Sequence, residues 1–158
     1  MSAGLASWLA DLEGAFGEVS GSALALEGLV ISSRHEAAPA LHGAYLGLMS
    51  PAGAVQIGIA SSQEGCRSLA RGLMGMGPEE ELPEAEVADA VCEIINIVAG
   101  GFKARLRDRA TPMQMGLPVF IRGAIQSTER VAVQVAEGLV GSVPVALLLV
   151  HPRSGSEA

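Results

Sequence analysis

The segment from Pro83 to Arg109 constrains the fold more than any other stretch, because its apolar residues recur at helical spacing. Placed at about 100° per residue, Val87, Val91, Ile94, Ile95, Val98, Phe102 and Leu106 form one broad stripe. A helix this long with one oily face must lay that face on another layer of structure. Pro83 and the acids that follow suit the positive end of the helix dipole, and Thr111 and Pro112 close the helix. Opposite the stripe stand Asp89, Glu93, Asn96 and Gly100.

The rest of the chain supplies the layer. Residues 5–18, LASWLADLEGAFGE, predict a helix that buries Leu5, Trp8, Leu9, Leu12 and Phe16. Strands are predicted over Ala23 to Ser32, Gly43 to Met49 and Ala54 to Ala60. The turn residues Ser50-Pro51-Ala52-Gly53 join the last two as a hairpin. Ser61 and Ser62 can cap a helix from Gln63 to Met74, which Gly75 and Pro78 end. Three further strands follow: Leu117 to Gln126, Arg130 to Glu137, and the apolar run Val143 to Val150, suited to a central position. The order is helix, three strands, two helices, three strands. Short links within each triplet predict an antiparallel sheet with the helices packed on one side, an α+β fold. Helix plus three strands occurs twice in this order, without a residue repeat behind it.

A chain of 158 residues with 49% hydrophobic content can bury one core of ordinary size, so residues 1–158 are expected to form a single domain. Its ends, about 1–4 and 152–158, are expected to be flexible. The longest apolar runs fall short of the roughly 18 to 20 residues that a membrane-spanning helix needs, and MSAGLASWLADLEG has no basic leader region. The expectation is a cytoplasmic protein. A net charge of −7 argues against nucleic acid and anionic membrane as partners.

Cys66 and Cys92 lack metal or disulfide spacing and suit reduced, semi-buried positions. His35, His42 and His151 are dispersed, so no metal site is expected. There is no GxSxG elbow, and Gly72-x2-Gly75-x-Gly77 follows a helix rather than a strand, the wrong setting for a phosphate loop. Lys103, Arg105, Arg107 and Arg109 gather at the end of the long helix, where the dipole favours cations.

What remains is the polar face. Glu93 and Asn96 are three residues apart and therefore neighbours on the helix surface. Burying an unpaired amide costs roughly 1 to 3 kcal/mol, so the position opposite the stripe predicts that both are exposed. Gly100, one turn beyond Asn96, costs about 0.8 to 1 kcal/mol relative to Ala, which suggests close approach by another body. Each residue alone also suits an ordinary solvated helix. Between Arg71 and Lys103 there is no Lys or Arg, while Glu79, Glu80, Glu81, Glu84, Glu86, Asp89 and Glu93 crowd the segment. A surface this acidic repels a free phosphate ester, although the run also suits a solvated helix start.

The pattern Asp89-x3-Glu93-x2-Asn96, followed by Ala99-Gly100 and by Pro118, resembles the signature of the CheC, CheX and FliY family of chemotaxis phosphatases. A single copy resembles the CheX type: in the first helix Glu13 is followed three residues later by Phe16, not Asn. Ile57-Gly58-Ile59-Ala60-Ser61-Ser62 leading to Leu73-Met74-Gly75 is similar to the family's third strand and second helix. The resemblance implies hydrolysis of the aspartyl phosphate on a CheY-like receiver domain of a phosphorylated response regulator, in chemotaxis or two-component signalling. It implies that Asn96 holds the attacking water and that Glu93 pairs with the regulator's active-site lysine. Asp89 would lie at the edge of the contact, Gly100 would leave room for the partner, and Pro118 would be architectural. It further implies no cofactor of the chain's own, Mg²⁺ being supplied by the partner response regulator, and a homodimer formed through sheet edges. The alternative is a non-catalytic receiver-binding or scaffold domain of the same fold.

Overall fold

The computed structural model describes residues 3–36, 41–51, 53–107 and 112–153. The elements in chain order are α1 (Ala3–Ser22), β1 (Leu29–His35), β2 (His42–Ser50), β3 (Gly53–Ser61), α2 (Gln63–Met74) and α3 (Glu84–Arg107), then β4 (Gln114–Met115), β5 (Val119–Arg122), β6 (Val131–Val140) and β7 (Val143–Pro152). The seven strands form one sheet in the order β1-β6-β7-β3-β2-β4, and β5 also pairs with β2. Every pairing is antiparallel. The apolar run of β7 lies centrally, between β6 and β3, as its composition predicts.

Alternation along the strands sorts the side chains onto two faces. Ala44, Leu46 and Leu48 of β2, Val55, Ile57 and Ile59 of β3, and Val145, Leu147 and Leu149 of β7 meet the apolar residues of all three helices in one core. The α+β arrangement with helices on one side is thus the observed one. The opposite face carries a smaller cluster, Tyr45, Ala60, Val133, Val135, Ala146 and Leu148, sheltered by Leu41, Ile121, Ile125 and Val150. Tyr45 rests on Gly58 across the β2–β3 pair, where an added Cβ would stand 2.3 Å from the ring.

Helix α2 has the predicted bounds and caps. Ser62 accepts a hydrogen bond from the Gly65 N–H at 3.0 Å, and Gly75 takes the left-handed conformation at φ 67°. In α3 the N–H groups of Glu86 and Val87 bond to the Pro83 carbonyl at 3.0 Å, so Pro83 marks the start as expected.

Several boundaries differ from expectation. Helix α1 runs to Ser22, and the predicted strand over Ala23 to Ser32 becomes β1 at Leu29–His35. The alternation Leu24, Leu26 imitates a strand, but the Ala23 and Leu24 N–H groups bond back to the Val19 carbonyl and Ala25 is left-handed at φ 52°. Of the predicted strand Leu117 to Gln126 only β5, Val119–Arg122, forms, ended by Gly123 at φ 135°, and an unpredicted two-residue strand, β4, precedes it; both pair with the outer side of β2. Four strands therefore follow α3, not three. Of the ends expected to be flexible, residues 3–4 are helical and Pro152 closes β7. Residues 1–2 and 154–158 lie outside the described residues, as do Arg109 and Thr111 at the predicted end of the long helix. Among the described residues no helix is long and apolar enough to cross a membrane.

Candidate functional site

Helix α3 packs against α1, α2 and strands β2, β3 and β5. Its stripe is fully engaged: Val91, Ile94, Ile95, Val98, Phe102 and Leu106 are all 0% exposed. An element anchored by that many buried side chains cannot roll without emptying the core. The opposite face is therefore held outward. Asp89, Glu93 and Gly100 are exposed as expected, whereas Asn96, expected to be exposed, is half-buried.

Neither Glu93 nor Asn96 has a side-chain hydrogen bond or ion pair with any described residue. The only buried side-chain nitrogen or oxygen without a partner among the described residues is Nε2 of His151. The unpartnered amide of Asn96 is consequently open to solvent. Its oxygen can accept a hydrogen bond from water and its nitrogen can donate one. Beside it, Glu93 offers a carboxylate that no described cation compensates.

The two glycines that follow stand in different surroundings. A Cβ added to Gly101 would meet Ala15 Cβ on α1 at 3.6 Å, whereas one added to Gly100 would meet nothing within 4 Å. Packing among the described residues gives no reason for glycine at position 100.

The acidic segment is not uniform. Glu84 takes part in internal contacts: Gln63 donates to it, and Arg67 and Arg122 each approach it at 3.8 Å. Glu64, on α2, holds Arg67 at 3.3 Å and Arg71 at 3.2 Å, and Glu80 accepts from the Gly77 N–H at 2.9 Å. Glu86, Asp89 and Glu93 have no ion pair among the described residues, so of the acids on α3 only Glu84 meets a described cation.

The thiols offer no rival nucleophile. Burial pushes Cys66 up to about 11, and burial together with the charge of Asp89 raises Cys92, one position before Glu93. Both stay protonated at neutral pH and unpaired with each other. Among the described residues no group of three or more His, Cys, Asp or Glu side chains could hold a metal ion. Pro118 sits just ahead of β5, at the outer side of β2, consistent with an architectural place.

Sequence reasoning passed over Ile97. It lies off the apolar stripe, next to Asn96, and is 38% exposed while its neighbours Ile94 and Ile95 are at 0%. An isoleucine outside the stripe was the available signal.

The family model described as Chemotaxis phosphatase CheX matches residues 44–137, more than half of the chain, including all four polar-face residues. Comparison with curated proteins returns no match. Among solved structures, a CheC-like superfamily protein from Shewanella sp. PV-4 superposes with a TM-score of 0.77 at 16% identity, over 95% of this chain and 98% of that one. A chemotaxis protein CheX from Desulfovibrio desulfuricans gives 0.74 at 14% identity, over 93% and 99%. The CheX of a CheX–CheY–BeF3–Mg²⁺ complex from Borrelia burgdorferi gives 0.72 at 18% identity, over 93% and 98%. At these identities the structural likenesses establish the fold, and the family model places the chain in the CheX family of chemotaxis phosphatases, to which it belongs.

Proposed function

We propose that this chain hydrolyses the aspartyl phosphate of a phosphorylated CheY-like receiver domain in chemotaxis or two-component signalling. The observation that carries this reading is the Glu93–Asn96 pair on the outward face of a rigid helix, Glu93 exposed and Asn96 half-buried, neither with a hydrogen bond or ion pair to a described side chain. The complex of the Borrelia relative with CheY supports the choice of partner.

An acyl phosphate already has a good leaving group, so the missing element is a positioned nucleophile. The Asn96 amide oxygen accepts a hydrogen bond from one water and aims its lone pair at phosphorus, in line with the bond to the aspartyl oxygen. The new P–O bond forms as the old one breaks. The carboxylate departs with the electron pair, and the water's proton leaves to phosphate or solvent. Glu93 pairs with the receiver's active-site lysine and fixes the angle at which Asn96 enters, with Asp89 at the rim and Gly100 leaving space. Mg²⁺ belongs to the receiver and neutralises phosphoryl oxygens when bound there. Orienting one water for a 100-fold gain requires about 2.7 kcal/mol of barrier reduction, within reach of a neutral amide. A partner of this kind is cytoplasmic. The homodimer belongs to the same proposal, with β1 and the β4–β5 side of the sheet as the edges available to it.

The test follows the lifetime of phosphate on purified receivers from the source genome. Wild type is expected to shorten it at least 100-fold relative to Asn96→Ala, with both proteins binding the receiver equally. If the two leave the lifetime equally unchanged while still binding, the chain is a receiver-binding scaffold and the phosphatase reading is wrong.

A further inference from the structure

A side chain in a helix leans toward the N-terminus and covers the turn three to four residues before it. The surface at Asn96 would therefore be roofed by residue 100, and the surface at Ile97 by residues 100 and 101. Both roofing positions are glycine. Neither is demanded by packing, since an added Cβ at Gly100 meets open space and one at Gly101 meets Ala15 at 3.6 Å, an ordinary contact. Each glycine nonetheless costs the helix about 0.8 to 1 kcal/mol relative to alanine. Their shared consequence is that Asn96 and Ile97 stand uncovered together.

Resting on the function proposed above, we propose that Ile97 is an apolar docking anchor that selects the receiver partner. The face of α3 changes character along its length: Glu86, Asp89 and Glu93 are exposed toward the N-terminus, and Ile97 is the exposed apolar residue one turn beyond Glu93. A matching partner brings its cation over Glu93 and an apolar side chain over Ile97, roughly 5 to 6 Å apart along the helix. The polarity of that match sets the direction in which the receiver lies on α3. A receiver with a polar group at the second place would bind more weakly while leaving Asn96 untouched. Ile97 is thus a specificity and positioning residue, distinct from the pair that meets the phosphate chemistry.

The experiment measures steady-state dephosphorylation of phosphorylated CheY-like receivers from the source genome. In parallel it measures binding of the same receivers loaded with beryllofluoride and Mg²⁺. Ile97→Ala is expected to raise KM and weaken binding about tenfold, equivalent to about 1.4 kcal/mol, with kcat within about twofold of wild type. Ile97→Leu should restore most of the affinity, and Ile97→Gln, which keeps side-chain length without the apolar surface, should match Ile97→Ala. Circular dichroism establishes that the variants are folded. An active wild type whose KM and binding are unmoved in Ile97→Ala and Ile97→Gln overturns this inference and leaves the proposed function standing. A wild type that neither binds nor dephosphorylates any receiver overturns both.

Discussion

Helices α1 and α3 pack against each other and carry the same ingredients, glutamates and glycines off their apolar stripes, yet Glu13, Glu18 and Gly14 of α1 are covered by other described side chains and Glu93 and Gly100 of α3 are not. On α1, Glu13 is gripped by both arms of the Arg34 guanidinium at 2.8 Å, a fork that also holds Arg34 more firmly in its charged form. Glu18 is bound by Arg105, whose guanidinium also lies over Gly14, where an added Cβ would stand 2.9 Å from Cζ. On α3 the corresponding features are bare: Glu93 has no ion pair with a described residue, and Gly100 has nothing above it. Residue type does not separate an acid held by the fold from one left open to a partner, as Glu93 is on the proposed function; what differs is an internal cation.

Giving α3 the cover that α1 has should produce the largest effect. Gly100→Arg places a guanidinium that leans back over Asn96, as Arg105 covers Gly14. Turnover of the receiver phosphate is expected to fall at least 100-fold. Thermal stability should hold or rise, because arginine is a far better helix former than glycine. Retained turnover would mean that the open space above Gly100 is not where the partner enters.

Removing one charge from each helix should give a smaller and reciprocal pair of effects. Glu93→Gln loses a charge-assisted contact to the partner, expected to lower kcat/KM by about 10- to 100-fold with the melting temperature unchanged. Glu13→Gln breaks a fork between a 13% exposed carboxylate and a 59% exposed arginine, expected to cost about 0.5 to 1 kcal/mol of stability with kcat/KM unchanged. Dephosphorylation kinetics and urea unfolding on both variants check the crossing. Parallel behaviour of the two, in either measurement, would remove the distinction drawn between the helices.

The helix layer was legible because its signals are local. The stripe from Val87 to Leu106 has a 3.6-residue period, and Ser62 and Gly75 are caps whose chemistry is written in the residue itself. The same holds for the outward face of α3, which follows from the stripe by geometry. The strands after α3 were less legible because short edge pieces are defined by their pairing with β2 and not by their own period; a two-residue strand such as Gln114–Met115 has no period to read. The end of α1 was missed for a related reason, since Leu24 turns into the core on a bend that only a left-handed Ala25 permits. The neutralisation of Glu84 but not Glu93 was illegible altogether. It depends on Arg67 of α2 and on Arg122, the latter brought to α3 by β5 from a distant part of the sequence.

The finest test of the comparison exchanges one methyl group on each helix. Gly100→Ala adds a Cβ into open space, so the folded protein should gain about 0.8 to 1 kcal/mol in urea unfolding. If the glycine exists to admit a partner, turnover should fall about threefold at the same time, a gain and a loss from one atom. Gly14→Ala earns the same helix propensity but pushes the flexible end of Arg105 away from Glu18, an exposed pair worth at most about 1 kcal/mol. The two terms nearly cancel, and stability within about 0.5 kcal/mol of wild type with unaltered turnover is the expected outcome. Opposite signs for stability and activity at position 100, with neither moving at position 14, is a pattern that helix propensity alone cannot produce. A stabilised, fully active Gly100→Ala would assign that glycine to chance and remove position 100 from the proposed site.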